Sequence, residues 1–170
     1  MKYILLPGFS IKNKDWTEEF VVEMKKRGFT FEILEWTHWS SGDVNDWDPE
    51  NEMQRLEELI EGKENVIVAK SLGTFISVLY VLSNDVKPSK LMWMGIPIHD
   101  LSEDELNMYP MMVSGIDLPI AVIQNIKDNH GTSAELKEIF ETNQVLIEIM
   151  EKDRDDHSYP YYDEVAGFLK

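Results

Sequence analysis

Ser71 stands where a serine could act as a nucleophile. The chain around it reads Ala69-Lys70-Ser71-Leu72-Gly73, after an apolar run of β-forming residues and before an amphipathic helical pattern. In a tight strand-to-helix turn of this kind, the serine hydroxyl is pushed above the sheet edge, and small flanking residues keep strand and helix from clashing. The motif, a variant of G-x-S-x-G with alanine first, therefore indicates nucleophilic catalysis.

A serine hydroxyl is a weak nucleophile at neutral pH and needs a base, normally a histidine oriented by a carboxylate. Two downstream residues follow apolar runs that resemble strands: Asp128 comes soon after Ile120–Gln124, and His157 comes soon after Val145–Met150. We predict Asp128 as the acid and His157 as the base for Ser71. The alternatives are a loop aspartate that caps the next turn or helix, and a surface histidine in an acidic loop.

The chain holds 4 histidines, so the rivals of His157 can be considered one by one. His38 precedes the serine, and His130 shares a loop with the predicted acid, which places it poorly between acid and serine. His99 follows the fourth apolar run and is the serious competitor, with Asp100 as the alternative acid. We expect His157 to be the base.

Acyl transfer also needs hydrogen-bond donors for the negative charge that develops on the substrate oxygen. The Leu72 N–H lies at the start of a predicted helix, where the dipole favours negative charge. The second donor is expected from Leu6-Pro7-Gly8-Phe9, because Gly8 permits a tight turn that can point the Phe9 N–H into the site. An ordinary turn at Pro7-Gly8 is the alternative.

Composition narrows the function classes. A chain of 170 residues is long enough for one domain, 1–170, with a substantial core, and it has no cysteine for disulfides, thiolate zinc sites or thiol nucleophiles. The formal net charge of -16 repels phosphate backbones and anionic membranes, so we expect neither nucleic acid nor a membrane as partner. The first apolar run ends at Pro7, too early for a secretory signal or a membrane span, which favours a soluble cytoplasmic protein.

Apolar runs alternate with amphipathic segments along the chain, which is typical of a parallel sheet flanked by helices. The predicted strands are Tyr3–Leu6, Phe29–Leu34, Val66–Ala69, Leu91–Met94, Ile120–Gln124 and Val145–Met150. Helix ends are marked by Asp48-Pro49 and by capping boxes that start at Ser102 and Thr132. The last helix is expected near Pro160.

Two segments show no clear regular pattern, Thr37–Asp48 and Tyr109–Leu118. Each follows a strand or its helix on the side where open α/β sheets bind ligands, so they are the candidate substrate walls. Trp36, Trp39 and Met111 are the predicted pocket residues, and packing of the tryptophans onto the sheet edge is the alternative.

An acidic cluster in the first of these segments, Asp43, Asp46 and Asp48, has a spacing similar to that of a calcium loop. It lacks the glycine and glutamate that such a loop requires. We therefore predict no metal site, and acyl transfer by a serine needs no cofactor.

Taken together, these motifs resemble those of a small, lidless serine hydrolase of the α/β-hydrolase superfamily, similar to the compact retinoblastoma-binding-protein-9-type group. The resemblance spans the chain, from the first loop and the Ser71 motif to Gly95-Ile96-Pro97 and the segments around Asp128 and His157. It departs at Ala69, where glycine is usual, at Lys70, where many relatives have histidine, and at Pro7, which replaces the histidine of a His-Gly motif.

The resemblance implies a three-layer α/β/α sandwich with about six mostly parallel strands in the order 2-1-3-4-5-6 and no cap domain. It implies hydrolysis of a small carboxylic ester, or a related acyl bond, through an acyl-serine intermediate. The alternative is a catalytically inactive scaffold of the same fold that binds a protein or small ligand. A nucleotide-binding domain is disfavoured, because the sequence has neither G-x-G-x-x-G after the first strand nor G-x-x-x-x-G-K-[ST].

Overall fold

Short runs of apolar and β-branched residues form the strands of a sheet, and the amphipathic segments between them form helices. The computed structural model describes residues 1–60, 62 and 64–170. The strands are Lys2–Leu6 (β1), Phe31–Ile33 (β2), Asn65–Lys70 (β3), Lys90–Met94 (β4), Ile120–Asn125 (β5) and Ile149–Lys152 (β6). The helices are Asn13–Lys26 (α1), Thr37–Ser41 (α2), Pro49–Leu59 (α3), Leu72–Ser83 (α4), Glu103–Gly115 (α5), Ser133–Thr142 (α6) and Tyr162–Leu169 (α7).

The sheet has the order β2-β1-β3-β4-β5-β6, and every pairing in it is parallel. The predicted strand order is thereby confirmed. All residues of β3 are buried, as expected for a central strand with helices over both faces. Parallel strands place their carboxyl ends at one edge, so the loops after β1, β3, β5 and β6 meet there.

Each face of the sheet has its own apolar core. On one face, side chains of α3, α4, α5 and α6 pack against alternate residues of the strands, such as Ile67 and Ala69. On the other face, α1 and α7 pack over Val66 and Val68. The two cores and the sheet between them make the predicted three-layer sandwich.

The helix starts agree with the capping residues in the sequence. The Asp48 side chain accepts a hydrogen bond from the Asn51 N–H, with Pro49 at the first turn of α3. Ser102 with Glu105 and Thr132 with Glu135 form complete capping boxes at the starts of α5 and α6. Each box satisfies two N–H groups that a helix end would otherwise leave unpaired.

The segment predicted to be irregular at Tyr109–Leu118 is mostly helical, because α5 continues to Gly115. Pro110 lies inside this helix and cannot donate a hydrogen bond to the preceding turn. The side chains of Tyr109 and Met112, on either side of it, are buried in the core. The other irregular segment, Thr37–Asp48, contains the short helix α2 and a 3-10 turn.

The last strand begins four residues later than predicted, at Ile149 instead of Val145. The chain is still completing the end of α6 there, because the Val145 N–H bonds to the Phe140 carbonyl and Gln144 has a φ of 59°. Leu146 then points into solvent with 96% of its surface exposed. An apolar run alone does not reveal this turn.

Candidate active site

Ser71 occupies a strained turn between β3 and α4. Its φ of 53° and ψ of -128° are rare for a residue with a side chain and cost about 1–3 kcal/mol. Hydrogen bonds on both sides hold the turn: the Ser71 N–H donates to the Met94 carbonyl at 2.9 Å, and the Thr74 hydroxyl donates to the Ser71 carbonyl at 2.6 Å. This is the backbone geometry that presents a nucleophile above a sheet edge.

Gly73 allows α4 to start directly against the end of β1. A Cβ atom on Gly73 would lie 2.6 Å from the Leu6 carbonyl oxygen and 2.7 Å from that of Pro7. No side chain fits at that distance, so the glycine of the serine motif is required by close backbone approach.

Asp128 and His157 come from the loops after β5 and β6 and are hydrogen-bonded to each other. His157 Nδ1 lies 2.9 Å from Asp128 Oδ1 and 2.7 Å from Oδ2. Because an ionised carboxylate only accepts hydrogen bonds, Nδ1 carries the proton and Nε2 has a free lone pair. Nε2 is buried and forms no hydrogen bond with any of the described residues.

The surroundings of this pair favour a neutral imidazole next to an ionised carboxylate. Burial lowers the pKa of His157, the hydrogen bond that its ring donates to Asp128 opposes that shift, and the charge of Lys70 adds to it. For Asp128, burial raises the pKa, but hydrogen bonds from His157 and Tyr159 outweigh it, so the net shift is downward. A neutral histidine with a free Nε2 is able to accept a proton.

Tyr159 and Asn125 support this pair and were not predicted from the sequence. The Tyr159 hydroxyl donates to Asp128 Oδ2. The Asn125 side-chain amide donates to the carbonyls of Asp156 and Ser158, which flank His157. A Cβ atom on Gly95 would lie 2.4 Å from the Tyr159 ring, so the glycine makes room for the ring. The one signal in the sequence is the closeness of Tyr159 to His157.

A cavity of about 370 Å³ opens beside these residues, at the carboxyl edge of the sheet. Its described lining consists of Phe9, Ser10, Lys12, Asn13, Ser71, Leu72, Pro97, Asp100, His130 and His157. Ser71 and His157 therefore face the same space, although no hydrogen bond joins the serine hydroxyl to Nε2 in this arrangement. The predicted donor residues, Phe9 and Leu72, line the same cavity.

The structure places Trp36, Trp39 and Met111 away from the described lining of this cavity. The two tryptophans are buried behind the loop after β1, where their indole N–H groups bond to the Gly8 and Phe9 carbonyls. The rings pack into the core, and the hydrogen bonds to the loop backbone satisfy their N–H groups. Met111 lies on α5, where 55% of its surface is exposed.

Lys70 is buried on the α1 side of the sheet, where 4% of its surface is exposed. Its Nζ donates to Asn13 Oδ1 at 2.8 Å and lies 5.1 Å from the centre of the Trp16 ring. Burial lowers the pKa of Lys70 to about 8. The residue beside Ser71 thus points into a core, and it acts on the site through its charge.

The rival histidines have different partners. His99 bonds to Glu135 at 3.0 Å and lies outside the described cavity lining. His130 does line the cavity: its Nδ1 lies 2.6 Å from Asp100 Oδ2, and its ring centre is 4.3 Å from that of His157. The cavity therefore holds a second imidazole oriented by a carboxylate.

Known structures of the same architecture match this chain over almost its whole length. A candidate hydrolase of the alpha/beta superfamily from Xanthomonas campestris pv. campestris is 17% identical, covers 97% of this chain and 92% of its own, and has a TM-score of 0.63. Mouse alpha/beta hydrolase domain-containing protein 10 is 15% identical, with 99% and 87% covered and a TM-score of 0.62. The protein has an α/β-hydrolase-like fold.

A candidate esterase from Staphylococcus aureus shares this α/β-hydrolase-like fold at 12% identity, with 98% of this chain and 73% of its own covered and a TM-score of 0.59. No protein-family model and no curated protein matches the sequence. Identities this low show a common fold and leave the chemistry to be argued from the site.

Two further features bear on ligands of this α/β-hydrolase-like chain. Among the described residues, none of the helices is long and apolar enough to cross a bilayer. Within the same part of the chain, no three His, Asp or Glu side chains are grouped so that they could hold a metal ion.

Proposed function

We propose that this protein is a serine hydrolase that cleaves a small carboxylic ester, or a related acyl bond, with Ser71, His157 and Asp128 as its triad. The observation that carries the proposal concerns His157, which lines the same cavity as Ser71 and whose Nε2 forms no hydrogen bond within the described part of the chain. Because Nδ1 donates its proton to Asp128, Nε2 is the ring nitrogen that can accept a proton.

In the proposed reaction, His157 Nε2 takes the proton of the Ser71 hydroxyl as Oγ attacks the acyl carbon. The tetrahedral intermediate collapses, the bond to the leaving alcohol breaks, and His157 returns the proton to that alcohol. Water then attacks the acyl-serine with His157 again as base, which releases the acid and regenerates Ser71. Asp128 holds the imidazole in the correct tautomer and stabilises its charged form.

Two observations support this mechanism. The strained backbone of Ser71 is the turn that nucleophilic serines use, and strain of this kind clusters at functional sites. The open contact between Ser71 and Nε2 is compatible with it, because catalytic hydrogen bonds in unliganded enzymes are often loose and tighten with substrate.

The cavity size supports a small-molecule acyl substrate, and the proposed reaction requires no metal or organic cofactor. The motif resemblance to the retinoblastoma-binding-protein-9-type group supports a serine hydrolase that works without a lid. Turnover of a panel of short esters, thioesters and amides measures which acyl bond is preferred.

The first test is substitution of the nucleophile. Ser71→Ala should abolish both labelling by a fluorophosphonate probe and turnover of short p-nitrophenyl esters, because no other group would then form the acyl-enzyme. Ser114→Ala is the matched control, since its hydroxyl is exposed on α5 and bonds to the Met111 carbonyl. Unchanged ester turnover in Ser71→Ala would refute the assignment.

Replacing the histidines one at a time tests the base. His157→Gln should lower kcat by about 10⁴-fold, and Asp128→Asn should lower it less. A larger loss in His99→Gln or His130→Gln than in His157→Gln would show that the base is another residue. A folded wild-type protein without turnover or labelling would favour the inactive binding scaffold.

A further inference from the structure

Three side chains from one short segment bind two successive carbonyls of the loop after β1. Trp36 Nε1 donates to the Gly8 carbonyl at 3.0 Å, and Trp39 Nε1 donates to the Phe9 carbonyl at 2.8 Å. His38 Nε2 lies 2.8 Å from the same Phe9 oxygen. Because a carbonyl oxygen only accepts, His38 carries its proton on Nε2.

These contacts decide where the neighbouring N–H groups point. In a trans peptide the N–H lies opposite the carbonyl, so the Phe9 N–H points away from the Gly8 oxygen, and the Ser10 N–H points away from the Phe9 oxygen. No peptide bond between described residues is cis. With both carbonyls turned to the segment behind the loop, both N–H groups face the other side.

That other side is the cavity, which both Phe9 and Ser10 line. Neither backbone N–H donates a hydrogen bond to any described residue. Two successive N–H groups on one side of a turn form a small anion-binding site, called a nest. Leu72, at the start of α4, lines the same cavity.

The loop is held firmly in this arrangement. Trp36 and Trp39 are buried, with 0% and 4% of their surfaces exposed. The Phe9 ring stacks on the His38 ring with 4.4 Å between centres. On the opposite side, the Asn13 side-chain amide donates to the Ser10 carbonyl at 3.0 Å. The nest is therefore preformed, which is the requirement for stabilising a charge that appears only in the transition state.

We propose that Trp36, His38 and Trp39 are positioning residues that hold the Phe9 and Ser10 N–H groups as a nest for the oxyanion of the tetrahedral intermediate. The inference rests on the proposed hydrolase function. These side chains do not touch the substrate, so their loss should lower kcat and leave KM nearly unchanged.

The test compares tryptophan-to-phenylalanine variants, which keep a ring and remove the indole N–H. Trp36→Phe leaves the Gly8 carbonyl without a partner among the described residues, whereas Trp39→Phe leaves the Phe9 carbonyl bonded to His38. We expect kcat for a short p-nitrophenyl ester to fall about 10- to 100-fold in Trp36→Phe and less in Trp39→Phe, with KM within about 2-fold of wild type.

Trp93→Phe is the matched control. It also removes a buried indole N–H, which donates to Ser77 Oγ at 2.9 Å in the core under α4. It should lower the melting temperature and leave kcat unchanged. Equal loss of kcat in Trp36→Phe and Trp93→Phe would show that Trp36 only stabilises the fold, and it would overturn the inference.

A trifluoromethyl ketone measures the nest directly, because its adduct with Ser71 carries an oxyanion. Its inhibition constant should rise in Trp36→Phe by the same factor by which kcat falls. In a crystal structure of the wild-type adduct, the oxyanion should lie about 2.7–3.1 Å from the Phe9 or Ser10 nitrogen. This measurement needs no variant to fold.

The outcomes separate the two proposals. A wild-type protein that neither turns over esters nor is labelled at Ser71 overturns both. If the wild type is active but the adduct oxyanion lies away from Phe9 and Ser10, only the positioning role is overturned. The same holds if Trp36→Phe keeps full kcat.

Discussion

The His157 side chain is partly buried, with 15% of its surface exposed, and the balance among Asp128, Lys70 and His130 sets its protonation. Burial lowers its pKa, the hydrogen bond and charge of Asp128 raise it, and the charges of Lys70 and His130 lower it further. The net shift is downward, so the imidazole is neutral at pH 7. Asp100 pairs with His130, and Arg154 pairs with Asp156 nearby.

The pH dependence of kcat/KM follows from this balance. The proposed mechanism requires a neutral His157, so kcat/KM should rise with pH and reach half its plateau at a pH below 6.5. Lys70→Met removes a positive charge that disfavours protonation, so its half-maximum should move to higher pH. Ester hydrolysis from pH 4 to 9 measures both profiles.

Lys14→Met is the control for Lys70→Met, because Lys14 lies near the Trp39 ring and is absent from the groups that shift the His157 pKa. A Lys70→Met profile that coincides with wild type, or moves to lower pH, would contradict the electrostatic role of Lys70.

Several residues of the candidate site are predictable from the sequence because each comes soon after an apolar run. Asp128 and His157 were paired on that basis, and the structure brings them together. The part played by Tyr159 could not be predicted in this way. Its hydroxyl reaches Asp128 only because Gly95, in the loop directly after β4, leaves space for the ring.

The turn between β3 and α4 is the element on which the site depends most. Its serine is strained, and its glycine lies against the carbonyls of Leu6 and Pro7, the residues that lead into the loop holding Phe9. Any movement of α4 away from β1 therefore displaces the proposed nucleophile and the proposed oxyanion donors.

Gly73→Ala tests this coupling. Because its Cβ would lie 2.6 Å from a backbone oxygen, we expect the free energy of unfolding to fall by about 1–3 kcal/mol and kcat to fall as well. Gly167→Ala is the control, since the exposed face of α7 leaves open space for a Cβ. It should stabilise the protein by about 0.5–1 kcal/mol, because alanine favours helix more than glycine does.

Urea unfolding and ester kinetics on the two variants measure these effects. If Gly73→Ala were as stable and as active as wild type, the close approach of α4 and β1 would not constrain the site.

Strands and helix starts were the most predictable elements, because they depend on local patterns. The capping boxes at Ser102 and Thr132 form as predicted. The strand order was expected from resemblance and not from the residues. The path of the chain after β2 could not be predicted, because the contacts of Trp36 and Trp39 are with a loop nearly 30 residues earlier in the sequence.

The net charge of the whole chain acts on substrates before they reach the cavity. With 32 acidic and 16 basic residues, the protein carries a formal charge of -16. Such a field lowers the local concentration of anions and the rate at which they arrive, and salt screens it over about 10 Å at 0.1 M.

An anionic ester should therefore be a poorer substrate than a neutral one at low salt. We expect kcat/KM for p-nitrophenyl hemisuccinate to be below that for p-nitrophenyl butyrate, and the gap to narrow as sodium chloride is raised. The neutral ester serves as the control for general salt effects. A gap independent of salt would show that the net charge does not influence substrate access.

Both margins of the sheet are short, with three residues in β2 and four in β6. On β6, Glu151 binds Lys137 and Lys152 binds Glu164, so charged side chains flank its outer backbone. A foreign strand would find few free amides to join and would have to strip these ion pairs of water. We therefore expect both edges of the sheet to disfavour strand-to-strand association between molecules.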